Sequence, residues 1–343
     1  MVSMISTKKV LLLAFGLLVT SLATTLPALA QEDQQQQQQP SYTQEEYNAY
    51  QAAVEQGAPG IIKFVKENPD SELTQYAIGA YLKIIQDHQN AGNHAQAVEA
   101  GEQFLNSIDS ERFDVQFLTA WSSFHAQQYD KAVKYSEQAY DQAPDQAKQQ
   151  LDVILMRSYM QVGNQDAAIP YAEKICGNGE AAQCYDVYPM LMRRYAESKE
   201  WSTAAKWAQK NIEALDSISQ PEGVSANEWN QYVTEERSAS HAILGRNAAE
   251  SNRWSTARQH YETVLKITPR SNGARHAEAY YYVGRALWDD KQIDAAMEAF
   301  AKGSVIQGAP HADPCRKSLE TLYRSTHNDS LAGLDEFINR VTS

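Results

Sequence analysis

Between Gln127 and Pro144 the chain reads QQYDKAVKYSEQAYDQAP, with Ala132 and Ala139 seven residues apart on one face and polar residues around them. Such spacing is helical. A face built of alanine implies that the helix lies close against its neighbour. Alanines in the same setting recur at Ala97, Ala132, Ala168, Ala204, Ala257 and Ala296, at steps of 35, 36, 36, 53 and 39 residues. A recurrence near this length with small residues at fixed places predicts stacked helical hairpins. Breakers agree: Gly92-Asn93, Gln127-Gln128 and Gly163-Asn164 fall where a hairpin turns, and Pro144 and Pro269 fall between hairpins, where a helix must stop. One hairpin cannot bury its own apolar face, so the copies must pack side by side.

The ends and the long step read differently. Residues 43–76 predict a capping helical hairpin ahead of the array, and residues 313–343 a second one, with Leu319, Leu322 and Tyr323 facing Leu334, Phe337 and Ile338. Four repeats fill 77–216, and an insertion with two more repeats fills 217–312. The 53-residue step exceeds the preceding 36 by 17 residues, centred on SISQPEGVSANEW. It predicts a loop around Gln220 to Ser225 and a lengthened helix from Ala226 to Ser251. A tolerated loop insertion and a hinge between two sub-arrays both fit that stretch.

With these residues in place the chain resembles the tetratricopeptide repeat family, whose pattern is W-x2-L-G-x2-Y, then A-x3-F, then P. The last copy supplies Tyr280, Val283, Gly284 and Leu287, then Ala296 and Phe300. The fifth supplies Leu244, Gly245 and Ala248, then Ala257, Tyr261 and Pro269. Tyr129, Trp201 and Trp254 repeat an aromatic three residues before the marker alanine. Ile85, Met156 and Met192 stand where Gly245 and Gly284 stand later, which predicts looser packing inside the earlier hairpins. The resemblance implies an all-α, right-handed superhelical solenoid of about six repeats with a concave groove that binds peptide segments.

The N-terminus changes the picture of where such an array works. Lys8 and Lys9 precede an apolar run from Val10 to Val19 and an Ala28-Leu29-Ala30 site, which together read as a cleavable secretory signal over residues 1–30. An uncleaved N-terminal anchor is the alternative. Residues 31–42, with QEDQQQQQQP, read as a flexible polar linker. The expected location is the periplasm or the exterior. Loss of residues 1–30 takes the formal net charge from −13 to −15, which disfavours nucleic acid and anionic membrane as partners. No long apolar run follows that would span a membrane. In an oxidising compartment Cys176 and Cys184 can pair across GNGEAAQ; Cys315 is left over as a buried thiol. No metal-ligand spacing accompanies them.

Candidate chemistry is sparse. The eight His are scattered, and no metalloprotease, nucleophile-elbow or phosphate-loop motif occurs. His88 and His94 flank a turn and read as exposed turn residues. Glu235-Glu236 reads as solvated charge. No cofactor is implied, and a non-enzymatic role is expected.

One series stands out. Eleven residues before each marker alanine are Gln86, Trp121, Arg157, Arg193, Arg246 and Arg285, a run of four arginines although Arg is only 14 of 343 residues. In the resembling family this position lines the groove. Helical neighbours share the face, adding Phe117 and Phe124 beside Trp121, and Tyr281 and Trp288 beside Arg285. A guanidinium row suits carboxylates, and the aromatics suit apolar anchors. The expected partner is a protein or peptide segment with acidic or carboxylate groups. Three alternatives stand beside it: the arginines are neutralised inside the array, they hold small anionic ligands such as cell-wall fragments, or the protein self-assembles, as a homodimer for example.

Overall fold

A computed structural model describes residues 42–178 and 184–343. The expected signal segment and most of the Gln-rich linker, and residues 179–183 of the Cys-bracketed loop, lie outside the described residues. Among the described residues there are 16 α-helices and no strands, an all-α helical-repeat fold. None of these helices is long and apolar enough to cross a membrane.

The chain divides into two compact units, the first ending at Ile175 and the second running from Cys176 to Ser343. The N-terminal unit holds α1 (Gln44–Glu55), α2 (Ala58–Glu67), α3 (Leu73–Asn90), α4 (His94–Ser107), α5 (Phe113–His125), α6 (Tyr129–Tyr140), α7 (Asp145–Gln161) and most of α8 (Gln165–Asn178). The C-terminal unit holds α9 (Tyr188–Glu197), α10 (Trp201–Ser217), α11 (Ala226–Glu250), α12 (Trp254–Ile267), α13 (Gly273–Asp289), α14 (Ile293–Ser304), α15 (Ala312–Thr326) and α16 (Leu334–Thr342). Consecutive helices pack on one another from α1 to α7 and from α9 to α15, and α16 packs on α14. The N-terminal core gathers Ile61, Phe64, Tyr81, Ile85 and Phe104. The C-terminal core gathers Tyr261, Val264, Phe300, Leu319 and Ile338.

The alanine register has a direct structural meaning. All six marker alanines are 0% exposed. Five residues before each of them stands the residue that reverses the hairpin: Gly92, Gln127, Gly163, Lys199, Asn252 and Lys291, every one at positive φ. Only two of the six are glycine, so four turns hold an L-residue in the left-handed region, where Cβ crowds the backbone.

Ile85, Met156 and Met192, which stand at the place of Gly245 and Gly284, are themselves buried in the hairpins. A Cβ on Gly245 would meet the Tyr261 ring at 2.7 Å, and one on Gly284 would meet the Phe300 ring at 2.7 Å. The aromatic partner lies sixteen residues on in both cases. At that same offset Ile85 is followed by Gly101, Met156 by Ala172 and Met192 by Ala208, all buried. Large and small have changed places, which keeps the summed volume of the pair roughly constant, the kind of change cores tolerate best. In the second repeat both residues, Ala120 and Ser136, are small.

The lengthened helix α11 starts at a capping box, in which Ser225 and Glu228 each bond the other's backbone N–H. Its first two turns bring Trp229 against Tyr185 and carry Tyr232 to donate to the Tyr185 carbonyl at 3.2 Å. Tyr185 follows Cys184, which is joined to Cys176 by a disulfide. Lys210 donates to the carbonyls of Cys176 and Gly177, closing orphan acceptors at the end of α8. Cys315 is buried against Gly303, and burial pushes its thiol pKa up to about 12. Such a thiol is inert.

Candidate functional site

Each of the four arginines has a different fate. On α7, Arg157 is 8% exposed, inside the N-terminal unit. On α9, one Nη of Arg193 reaches both carboxylate oxygens of Glu236, at 2.5 and 2.7 Å. Glu236 is 7% exposed, so it is not the solvated charge expected from sequence but a buried partner on α11. Arg246 on α11 donates from Nε to Glu250 at 2.7 Å. Its guanidinium lies between the rings of Trp201 and Tyr282, at 5.1 and 5.0 Å. Arg193 and Arg246 are therefore committed inside the molecule and are not a free cation row.

Arg285 on α13 differs. Its guanidinium lies 5.5 Å from each of the Trp254 and Trp288 rings. Among the described residues it makes no ion pair, although Asp289 stands one helical turn along. A cavity of about 170 Å³ opens here, lined by Trp254, Arg285, Trp288, Asp289 and Lys291. The two indoles hold the guanidinium by cation–π attraction, while its N–H edges keep their donors. Tyr281, expected on the other side of Arg285, instead packs on Tyr282, Phe300 and His311. A larger depression of about 520 Å³ at the end of α15 includes Arg324 and Asp329, which already face each other at 3.9 Å.

Trp201 and Trp254 are the recurrent aromatics three residues before a marker alanine, and each receives the arginine of the following repeat. The rule was present in the sequence as two separate periodicities. Their meeting across repeats was not.

Phe117, Trp121 and Phe124, expected as one aromatic patch, are each half-buried and pack on different rings. Phe117 packs at a tilt against Phe113 and borders the N-terminal core. Trp121 lies 4.0 Å from the His125 ring and 5.3 Å from the His94 ring, and Phe124 packs edge-on against His125 and Tyr129. His94 is thus half-buried in a cluster and not an exposed turn residue. Enclosure lowers the pKa of both imidazoles, His125 also through the charge of His94. A second pair sits between α11 and α12, with His241 Nδ1 and His260 Nδ1 hydrogen-bonded at 3.1 Å. Among the described residues no three His, Cys, Asp or Glu side chains converge as a metal cage.

Two stretches of the chain, 82–147 and 244–311, match the tetratricopeptide repeat family model. These stretches run from within α3 to the start of α7 and from the end of α11 to beyond α14, and in them the chain is similar to tetratricopeptide repeats. The match indicates no catalytic family. No curated protein matches the chain. Among solved structures it is similar to a STAND signal-transduction ATPase with a tetratricopeptide repeat sensor from Pyrococcus horikoshii, at 15% identity and a TM-score of 0.38 over 86% of this chain and 46% of that one. It is similar to the APC/C hetero-tetramer Cut9–Hcn1 at 13% identity and a TM-score of 0.34, over 87% of this chain and 54% of that one. A tetratricopeptide repeat protein from Parabacteroides merdae matches at 12% identity and a TM-score of 0.33, over 81% of this chain and 96% of that one. The chain thus spans about half the length of the first two.

Proposed function

We propose that the protein is an exported, non-enzymatic adaptor of the cell envelope that holds a carboxylate-bearing peptide segment at Arg285. The observation that carries this reading is the Trp254–Arg285–Trp288 cavity, where a guanidinium without an ion-pair partner among the described residues faces an opening in a strongly acidic protein. Arg presents a planar fork to a carboxylate, and the flanking indoles offer apolar contact to the residues on either side of it. Size favours a peptide over a free metabolite. Small-molecule sites run to about 300–1,000 Å³, whereas about 170 Å³ accepts one side chain or a chain terminus. The signal-like residues 1–30, with Lys8, Lys9 and Ala28-Leu29-Ala30, support export.

Fluorescence anisotropy with paired peptides tests the site. Peptides ending in a free carboxylate, or carrying Asp and Glu, should bind more tightly than their amide, Asn and Gln counterparts. Arg285→Gln should remove that preference while circular dichroism stays unchanged. Equal binding of charged and neutral peptides, or a preference that survives in Arg285→Gln, overturns the assignment. Cell fractionation tests export separately, and light scattering across a concentration series tests the alternative of self-assembly.

A further inference from the structure

We propose that Asp289 sets whether Arg285 is open to a ligand carboxylate: an acid one methylene shorter than glutamate, in this place, leaves the guanidinium unpaired. The proposal rests on the reading of Arg285 as the carboxylate site and names the residue that controls it.

The chain supplies its own controls. Arginine stands four residues before glutamate at Arg193, Arg246, Arg258 and Arg316. Residues four apart share a helix face, so such pairs can close. Three of the four do so with the same geometry, Nε donating to Oε1 at 2.7 Å: Arg246 to Glu250, Arg258 to Glu262 and Arg316 to Glu320. The exception, Arg193, is drawn away from Glu197 by the buried carboxylate of Glu236. Arg285 is the one arginine with an aspartate four residues on, and among the described residues this pair does not form.

Arg246 is the nearest comparison. Like Arg285 it stands eleven residues before a marker alanine, and each guanidinium lies against two aromatic rings. The aromatic setting is therefore not what frees Arg285. The acid one turn along is what differs. Asp289 is exposed and lines the cavity beside Arg285. Lys291 lines it too, exposed and without an ion pair among the described residues, so the two cations outweigh the one anion. An incoming carboxylate meets the N–H donors of Arg285 without first displacing an intramolecular acid. Pairs this exposed are weak, so glutamate at this position would throttle the site by about two- to fivefold and not abolish it. The charge of Asp289 itself opposes the ligand at short range, and Asp289→Asn should tighten binding by a similar factor.

Nitrogen-15 NMR of the arginine Nε–H groups tests the pairing without a ligand. Arg246 should exchange its Nε–H with water more slowly than Arg285. Asp289→Glu should slow Arg285 toward Arg246, and Glu250→Asp should speed Arg246. Binding is read by fluorescence anisotropy with two peptide series. One ends in a free carboxylate and has no acidic side chain; the other is amidated and carries a single Glu. Where Arg285→Gln removes the preference for charge, affinity should fall from Asp289→Asn through the parent to Asp289→Glu, with the two variants about tenfold apart. Lost packing would weaken both variants, whereas the charge argument moves them in opposite directions. An Arg285 Nε–H that exchanges in Asp289→Glu as in the parent overturns the proposal. An Arg285-dependent preference of equal size in all three proteins overturns the role of Asp289 alone. No preference for charge in either series overturns the carboxylate reading of Arg285, and this proposal with it.

Discussion

The exchange of large and small residues across each hairpin can be tested at Gly284 and Phe300. In Gly284→Met the new side chain meets a ring whose nearest atoms lie 2.7, 2.8 and 2.9 Å from the first added carbon. Overpacking of this kind costs about 1–3 kcal/mol and occasionally more, offset by about 1 kcal/mol of helix propensity gained on replacing glycine. Phe300→Ala empties a site that is 0% exposed, at about 3–5 kcal/mol. The double variant places methionine against alanine, as Met156 against Ala172 and Met192 against Ala208 already stand. All three atoms in the way belong to the Phe300 ring, so its removal clears them together. The double variant should therefore be more stable than the sum of the single effects by about 2 kcal/mol or more. Urea unfolding measures the totals. Helical arrays can unfold in parts, so hydrogen exchange in α13 and α14 should report the same coupling locally. Additivity within about 0.5 kcal/mol would refute the exchange and leave the glycines to be explained one by one.

Three further outcomes follow from the same structure. His241 is depressed by burial, then by the charges of His260 and Arg237 against Asp216, and His260 by burial and Arg253; the folded state thus binds fewer protons than the unfolded one just below pH 6.5. Stability should fall as pH drops from there toward the depressed native values, by at most about 1.4 kcal/mol per pH unit for each proton, and a His241→Gln/His260→Gln variant should show a shallower drop in urea midpoint between pH 7.5 and 5.5. Gln127→Gly and Lys199→Gly relieve left-handed backbone at φ 58° and 60° and should each raise stability by about 0.5–1 kcal/mol, read as a higher melting temperature. Arg193→Ala should destabilise more than Glu236→Ala, because the first strands a carboxylate with 9% side-chain exposure and the second strands a guanidinium with 50%, which water can reach; equal urea midpoints for the two would contradict the buried pairing.

Much of the architecture was legible because it is made of local and nearest-neighbour terms. The six alanines mark where two helices touch, and the turn five residues before them recurs at that spacing whether or not the residue is glycine. The loop before Ala226 and the long helix after it could be read from one Pro-Gly interruption and the Ser225 to Glu228 cap. Each of these signals lies within about one repeat length of what it specifies, so a single chain carries it openly.

The site is another matter. The row of arginines was visible, but which of them was free depended on partners brought near by packing: Glu236 lies 43 residues from Arg193, and Trp254 reaches Arg285 from the repeat before. A helical pattern gives the face on which a side chain stands, not the group that faces it from the next hairpin. The same holds for His94, whose turn position suggested exposure until α5 laid Trp121 and His125 against it. Composition and periodicity determined that this chain is an array of alanine-seamed helical hairpins. Only the tertiary structure decided which charges are spent inside it, because burial and pairing are properties of space between repeats and not of any one of them.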